Sequence, residues 1–185
     1  MALTASNMLP LGTKAPNFNL PDQQGYHWSL ADFSDDKALL VMFICNHCPY
    51  VVHLKSALAK FAREYSDKGL GIIAINANNA DAYPADSPQN MALEIERYGY
   101  VFPYVYDETQ EVAKSYDAAC TPDFFLFDGD RKLVYRGQFD GSRPGNNVPV
   151  TGEDLRDAVN QILAGQSVIG EQTPSMGCNI KWRDD

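Results

Sequence analysis

The chain has 185 residues, 45% hydrophobic and 21% charged, with 2 Trp, 10 Tyr and 9 Phe. That composition excludes a disordered chain and suffices for a core without metal or disulfide staples. A net charge of -9 argues against nucleic-acid and anionic-lipid partners, because phosphates demand a basic surface.

Residues 1–25 read as an irregular lead-in punctuated by Gly12, Pro16, Pro21 and Gly25. Phe18 and Leu20 on one side of the Asp22–Gly25 turn signal, and Tyr26 and Trp28 on the other, predict a short hairpin. The apolar run 38–44, ALLVMFI, is too short for a typical helix and fits a strand covered on both faces. From Cys48, apolar residues at helical spacing predict one helix of about 18 residues, closed by Lys68-Gly69. Residues 70–75, LGIIAI, predict a second buried strand, so the segment is a right-handed βαβ unit.

The polar loop 76–90 ends in a predicted helix over 88–98, with Ser87 as its N-cap and Pro88 at its first position. A short strand is expected within 101–106 and a helix over 108–116. Phe124–Phe127 and Leu133–Arg136 flank the turn Asp128-Gly129-Asp130, a hairpin signal. A second polar loop spans 137–150. Thr151 to Asp154 then approximates a capping box for a final helix ended by Gly165. Residues 166–185 read as a tail. The whole, 1–185, is expected to form one α/β domain: a mixed β-sheet with helices on both faces and an N-terminal hairpin.

Four cysteines are too few for a disulfide-built secreted scaffold. The start, MALTASNMLPLG, lacks the basic and apolar regions of a signal peptide, and no apolar run reaches membrane-spanning length. A cytoplasmic protein without a membrane partner is therefore expected.

Cys45-Asn46-His47-Cys48 carries the chemistry. It follows a buried strand and opens a helix, where free N–H groups and the helix dipole stabilise a thiolate. Cys45, the more exposed by position, is expected to attack, and Cys48 to resolve the mixed disulfide. Protonated His47 would further favour the thiolate. This reading depends on Cys45 being uncovered and charged near neutral pH. Pro49 lacks an N–H and biases Cys48 away from helical geometry, so the regular helix alternatively starts a residue or two late.

A zinc site would need a second half from His47, His53, Cys120 or Cys178, and no second close cysteine pair exists, so no metal and no cofactor is expected. His53 reads as a half-buried helix residue and His27 as a surface one. Cys120 and Cys178 are either small buried hydrophobes or accessory redox partners that relay a disulfide away from Cys45 and Cys48. Thr121-Pro122 sits where a strand begins, and the sequence alone does not make that bond cis.

The segments Gly12–Leu20, Cys45–Val51 and Cys120–Phe127 together resemble the thioredoxin-like superfamily, in its redoxin or alkyl hydroperoxide reductase–thiol-specific antioxidant (peroxiredoxin-like) branch, collinearly over about residues 10–165. The resemblance implies a thioredoxin-like sandwich. It implies a cis Pro122 against the disulfide and a Thr121 backbone offered to an extended peptide. It also implies that the loops Asn76–Pro88 and Asp140–Val148 lie near the active-site end. The chain departs from thioredoxins in carrying Ile44 before the pair, Asn46-His47 within it, and Leu39 where a buried acid is usual, which leaves His47 or His53 to handle protons. It lacks the Pro and Thr that precede a peroxidatic cysteine, which counts against efficient peroxide reduction.

The leading expectation is thus a thiol–disulfide oxidoreductase acting on protein or small-molecule thiols and disulfides. The alternatives are a thiol-dependent peroxidase and a non-catalytic binding or zinc module.

Overall fold

A computed structural model describes residues 2–184. Strand β1 is Leu3–Ala5, and β2 (Asn19–Pro21) with β3 (His27–Ser29) forms the expected hairpin. Then come β4 (Ala38–Phe43), α1 (Pro49–Val52), α2 (Lys55–Tyr65), β5 (Leu70–Asn76), α3 (Pro88–Tyr98), β6 (Tyr104–Tyr106) and α4 (Glu111–Ser115). The chain continues through β7 (Cys120–Thr121), β8 (Asp123–Phe127), β9 (Leu133–Gly137), α5 (Glu153–Leu163) and β10 (Met176–Asn179).

The central sheet runs β6-β5-β4-β8-β9. Strands β4, β5 and β6 are parallel, and β8 and β9 are antiparallel to their neighbours. Every residue of β4 and β5 is buried, which is why both read as unbroken apolar runs. Strand alternation divides them between two layers. Leu40, Met42 and Ala74 pack under Leu58, Phe61, Met91, Leu155 and Val159 of α2, α3 and α5, while Leu39, Val41, Phe43 and Ile73 pack against Phe18, Phe33, Ala113 and Tyr116. This is the α/β thioredoxin-like arrangement that the resemblance implies, with Thr121-Pro122 in cis.

The structure corrects three expectations. The single helix after Cys48 is two: α1 stops at Val52, the bond from Leu54 N to Val51 O tightens the turn, and α2 begins at Lys55. The break accompanies an inward-turned Lys55, whose Nζ donates to Asn46 O at 2.7 Å and pairs with Glu94. The cap of α5 is not a Thr151–Asp154 box. Gly152 occupies it with φ +70°, and the Asp140 carboxylate accepts from Thr151 N and Gly152 N at 2.7 and 2.6 Å. A carboxylate at that end meets both free donors and the positive pole of the helix.

The third correction concerns the ends of the chain. The lead-in contributes β1 and the tail contributes β10, which lies between β1 and β7 in a three-stranded antiparallel sheet. Ile180, just past β10, is buried in the core. Gly177 lets β10 approach: a Cβ there would lie 2.0 Å from Thr121 O and 2.6 Å from Thr121 C, both rigid backbone. Gly177→Ala is therefore expected to lower the unfolding free energy by about 1–3 kcal/mol. Urea denaturation measures this, and an unchanged midpoint would contradict the docking of β10 on β7.

Candidate active site

The C-terminal end of β4 delivers the site. Ile44 N still bonds Ile75 O at 3.1 Å, after which the chain leaves the sheet at Cys45-Asn46-His47. Cys48 is the N-cap of α1, with extended backbone (φ -64°, ψ 125°), and Pro49 is the first helical residue. Its missing N–H costs nothing at that position, which needs no intrahelical donor. Cys48 O accepts from Val51 N and Val52 N at 3.0 and 2.8 Å. The helix therefore has its N-cap three residues after Cys45 and its first helical residue four after, not at it.

Opposite lie β7 and β10. Cys45 Sγ is 3.3 Å from Thr121 Oγ1, and Cys48 Sγ is 3.3 Å from Thr121 O and 2.7 Å from Cys178 Sγ. The structure thus brings together Cys45, Cys48, His47, Thr121 and Cys178. Cys120, on the same short strand, turns its sulfur toward Pro122 O at 3.5 Å, and burial pushes its thiol up. His53 is bonded to Ser142 Oγ at 2.6 Å, and His27 is exposed in the hairpin.

The expectation of an uncovered, acidic Cys45 is overturned on both counts. Cys45 and Cys48 are each only 1% exposed. The Cys45 thiol is pushed well above its ordinary range, first by burial, then by its hydrogen bond to Cys48 and by the Asp86 carboxylate. The helix start instead acts on Cys48, whose thiol is lowered to about 5. The largest cause is the hydrogen bond from Cys45, opposed by burial and reinforced by Cys178 and the Val51 N–H. The Thr121 carbonyl accepts only from a protonated Cys48 and works the other way, but it is outnumbered by these donors. Within the pair, ionisation is thus favoured at Cys48 and disfavoured at Cys45. A thiolate at a helix start with a second thiol against it is a thiol-based redox centre.

Asp86 and its neighbours were not legible as site residues. The loop between β5 and α3 carries Asp86, fully buried, whose Oδ1 accepts from Asn46 N at 2.7 Å. Its Oδ2 lies 2.6 Å from His47 Nδ1 and accepts from Asn78 Nδ2 at 2.7 Å. His47 is half-buried and stacks on Tyr83, with ring centroids 5.8 Å apart and planes 8° apart. Asn46 is held further by Tyr104 Oη, which donates to its Oδ1 at 2.9 Å, and by Ala85 O, which accepts from its Nδ2 at 2.9 Å. The buried acid missing at Leu39 is thus supplied from a loop. Nothing in the sequence separated Asp86 from the exposed Asp81 beside it. A second acid, Asp123, follows Pro122, and burial raises its carboxyl to about 7 against the opposing bond from Ser6 Oγ.

Cys45, His47 and Asp86 each place one donor atom within 4.8 Å of the others, so these three could hold a metal ion. Asp86 reaches this cluster from the β5–α3 loop, 39 residues after His47. His47 Nδ1 and Asp86 Oδ2 are themselves in close contact, at 2.6 Å. Among the described residues, no helix is long and apolar enough to cross a membrane.

Comparison with known proteins agrees with this geometry. The chain is 28% identical over 131 residues to the thiol-disulfide oxidoreductase ResA of Bacillus thuringiensis subsp. konkukian, covering 71% of each chain. A crystal structure of a hypothetical protein from Sinorhizobium meliloti superposes with TM-score 0.97 at 54% identity, over 98% of this chain and 100% of that one. An uncharacterized conserved protein from Geobacillus kaustophilus superposes with TM-score 0.98 at 53% identity, over 100% and 98%. The redoxin family profile matches residues 10–155, which spans the hairpin, the cysteine pair, Thr121-Pro122 and the start of α5. With most of its length matched and its cysteine pair held at a helix start beside a cis proline, the chain belongs to the redoxin family.

Proposed function

We propose that the protein is a thiol–disulfide oxidoreductase whose reacting pair is Cys48 and Cys45. The observation that carries this reading is the placement of the two sulfurs, with Cys48 at the N-cap of α1 and both sulfurs 3.3 Å from Thr121 of the cis Thr121-Pro122 segment, where the Cys48 thiol is lowered and the Cys45 thiol raised. The Cys48 thiolate attacks one sulfur of a substrate disulfide. The substrate S–S bond breaks, and its other sulfur leaves with the electron pair. Cys45 then attacks Cys48 Sγ, closing the Cys45–Cys48 bridge and releasing the second substrate thiol. The Cys45 proton passes to that leaving sulfur. Thr121 Oγ1 and the His47–Asp86 pair are the groups beside Cys45 that can carry it. Pro122 is a positioning residue in this scheme, in which Cys48 attacks and Cys45 resolves, the reverse of the expectation from position along the chain.

The named activity of the Bacillus relative supports the reading. A cytoplasmic location and protein or small-molecule thiol and disulfide substrates belong to the same proposal, on the strength of composition and family resemblance. The test mixes reduced protein with either a protein disulfide or hydrogen peroxide and follows thiol loss. Rapid exchange with the disulfide and slow loss to peroxide are expected. Fast, peroxide-specific loss would make the protein a peroxidase. Stoichiometric zinc after purification without added metal, with no bridge on mild oxidation, would make it a binding module.

A further inference from the structure

We propose that Cys178 is a third redox cysteine, which takes the disulfide from Cys45–Cys48 by forming a Cys48–Cys178 bridge on strand β10. The inference rests on the reading that Cys48 is the reactive sulfur.

Three observations carry it. The first is proximity: Cys178 Sγ lies 2.7 Å from Cys48 Sγ, although 130 residues separate them. A disulfide requires about 2.05 Å, so closure needs a sulfur displacement of under about 1 Å. The second is that the framework holds Cys178 there. Cys178 sits in register between Leu3 of β1 and Thr121 of β7. Ser175 Oγ donates to Pro122 O at 2.6 Å, and Ser6 N donates to Ser175 O at 2.9 Å, pinning the approach to β10. Downstream, Lys181 N donates to Asn78 Oδ1 at 2.9 Å. The third is occupancy. The Thr121 backbone, expected to face an incoming extended segment, is already paired with β10. The sulfur that this segment offers to Cys48 is Cys178. The protein thus carries its own strand in the place of a substrate strand, with a thiol at the point of exchange. Cys120 serves as an internal contrast: it is equally buried but faces a carbonyl oxygen, not a sulfur.

The step balances without an added oxidant. Starting from the Cys45–Cys48 disulfide, the Cys178 sulfur attacks Cys48 Sγ. The Cys48–Cys178 bond forms as the Cys45–Cys48 bond breaks. The electron pair leaves on Cys45, which takes up the proton released by Cys178. The nearby Lys181 ammonium favours the attacking thiolate, against the burial that raises the Cys178 thiol to about 12. Neither bridge is more oxidised than the other, so the two interconvert.

The test oxidises the intact protein under native conditions with one equivalent of diamide, quenches in acid, alkylates the remaining thiols and maps the bridges by mass spectrometry. Wild type is expected to give both Cys45–Cys48 and Cys48–Cys178 bridges. Cys45→Ser is expected to lose labelling at Cys48 and Cys178 together while Cys120 stays labelled, and Cys178→Ser to give Cys45–Cys48 alone. A wild type that yields only the Cys45–Cys48 bridge overturns the relay and leaves the oxidoreductase reading standing. A wild type that yields no bridge overturns both. Should Cys45→Ser fail to fold, the wild-type map decides by itself.

Discussion

Cys48→Ser is expected to abolish disulfide exchange, with turnover of a protein disulfide falling at least about a thousandfold. The loss is total in kind because Cys48 belongs to both candidate bridges: Cys45 is its partner on one side and Cys178 on the other. Serine is nearly isosteric, so the fold should persist while the charge does not. Thiolate absorbance at 240 nm provides the direct readout. Reduced wild type should show one thiolate appearing near pH 5, and Cys48→Ser should show none until well above neutrality, because burial holds Cys45 and Cys178 protonated.

Stability carries the same signature. The folded pKa of Cys48 lies below that of a free thiol, about 8.5, so the unfolded chain keeps a proton that the folded one has released. The stabilisation is therefore complete above the free value and is lost as pH falls through about 5. The stability gap between reduced wild type and Cys48→Ser should widen with rising pH across that window. Asp123 works in the opposite sense. Its raised carboxyl keeps a proton up to about pH 7, so its contribution declines as pH rises toward that value. Because Asp123 is common to both proteins, the difference isolates Cys48. A gap independent of pH would place the charge elsewhere.

Asp86→Ala should produce the largest loss of stability among the polar residues of the site. The carboxylate is fully buried and faces the Asn46 N–H, the Asn78 side-chain amide and His47 Nδ1, at 2.7, 2.7 and 2.6 Å. Alanine strands these buried groups, at about 1–3 kcal/mol for each left without a partner. A loss of about 3 kcal/mol lowers the thermal midpoint by about 6–12 °C in a chain of this size. Asp86→Asn separates charge from shape. It should cost less stability, yet still remove the negative charge that disfavours ionisation of Cys45, so Cys45 alkylation should quicken. Unchanged midpoints and unchanged Cys45 reactivity would show that Asp86 has no hold on the site.

Much of the fold was legible because its signals are local. The runs ALLVMFI and LGIIAI announce strands covered on both faces, and Ser87-Pro88 announces the start of α3, where the structure places it. Four residues, Cys45 to Cys48, after a buried strand were enough to locate a thiol centre. Even the late helix start was foreshadowed by Pro49, which removes a donor that α1 does not need.

The division of labour between the two sulfurs was not legible, and the reason is physical. A thiol's acidity depends on its burial and on the donors and charges within a few ångströms, and here those arrive from distant parts of the chain. Thr121 comes from 73 residues beyond Cys48, Asp86 from 40 beyond Asn46, and Cys178 from 130 beyond Cys48. Spacing along the chain therefore determined that a redox pair exists and where it sits. Only the folding of the Asp86 loop and of the β10 strand over that pair decided which thiol is raised and which lowered, and which third thiol stands beside it.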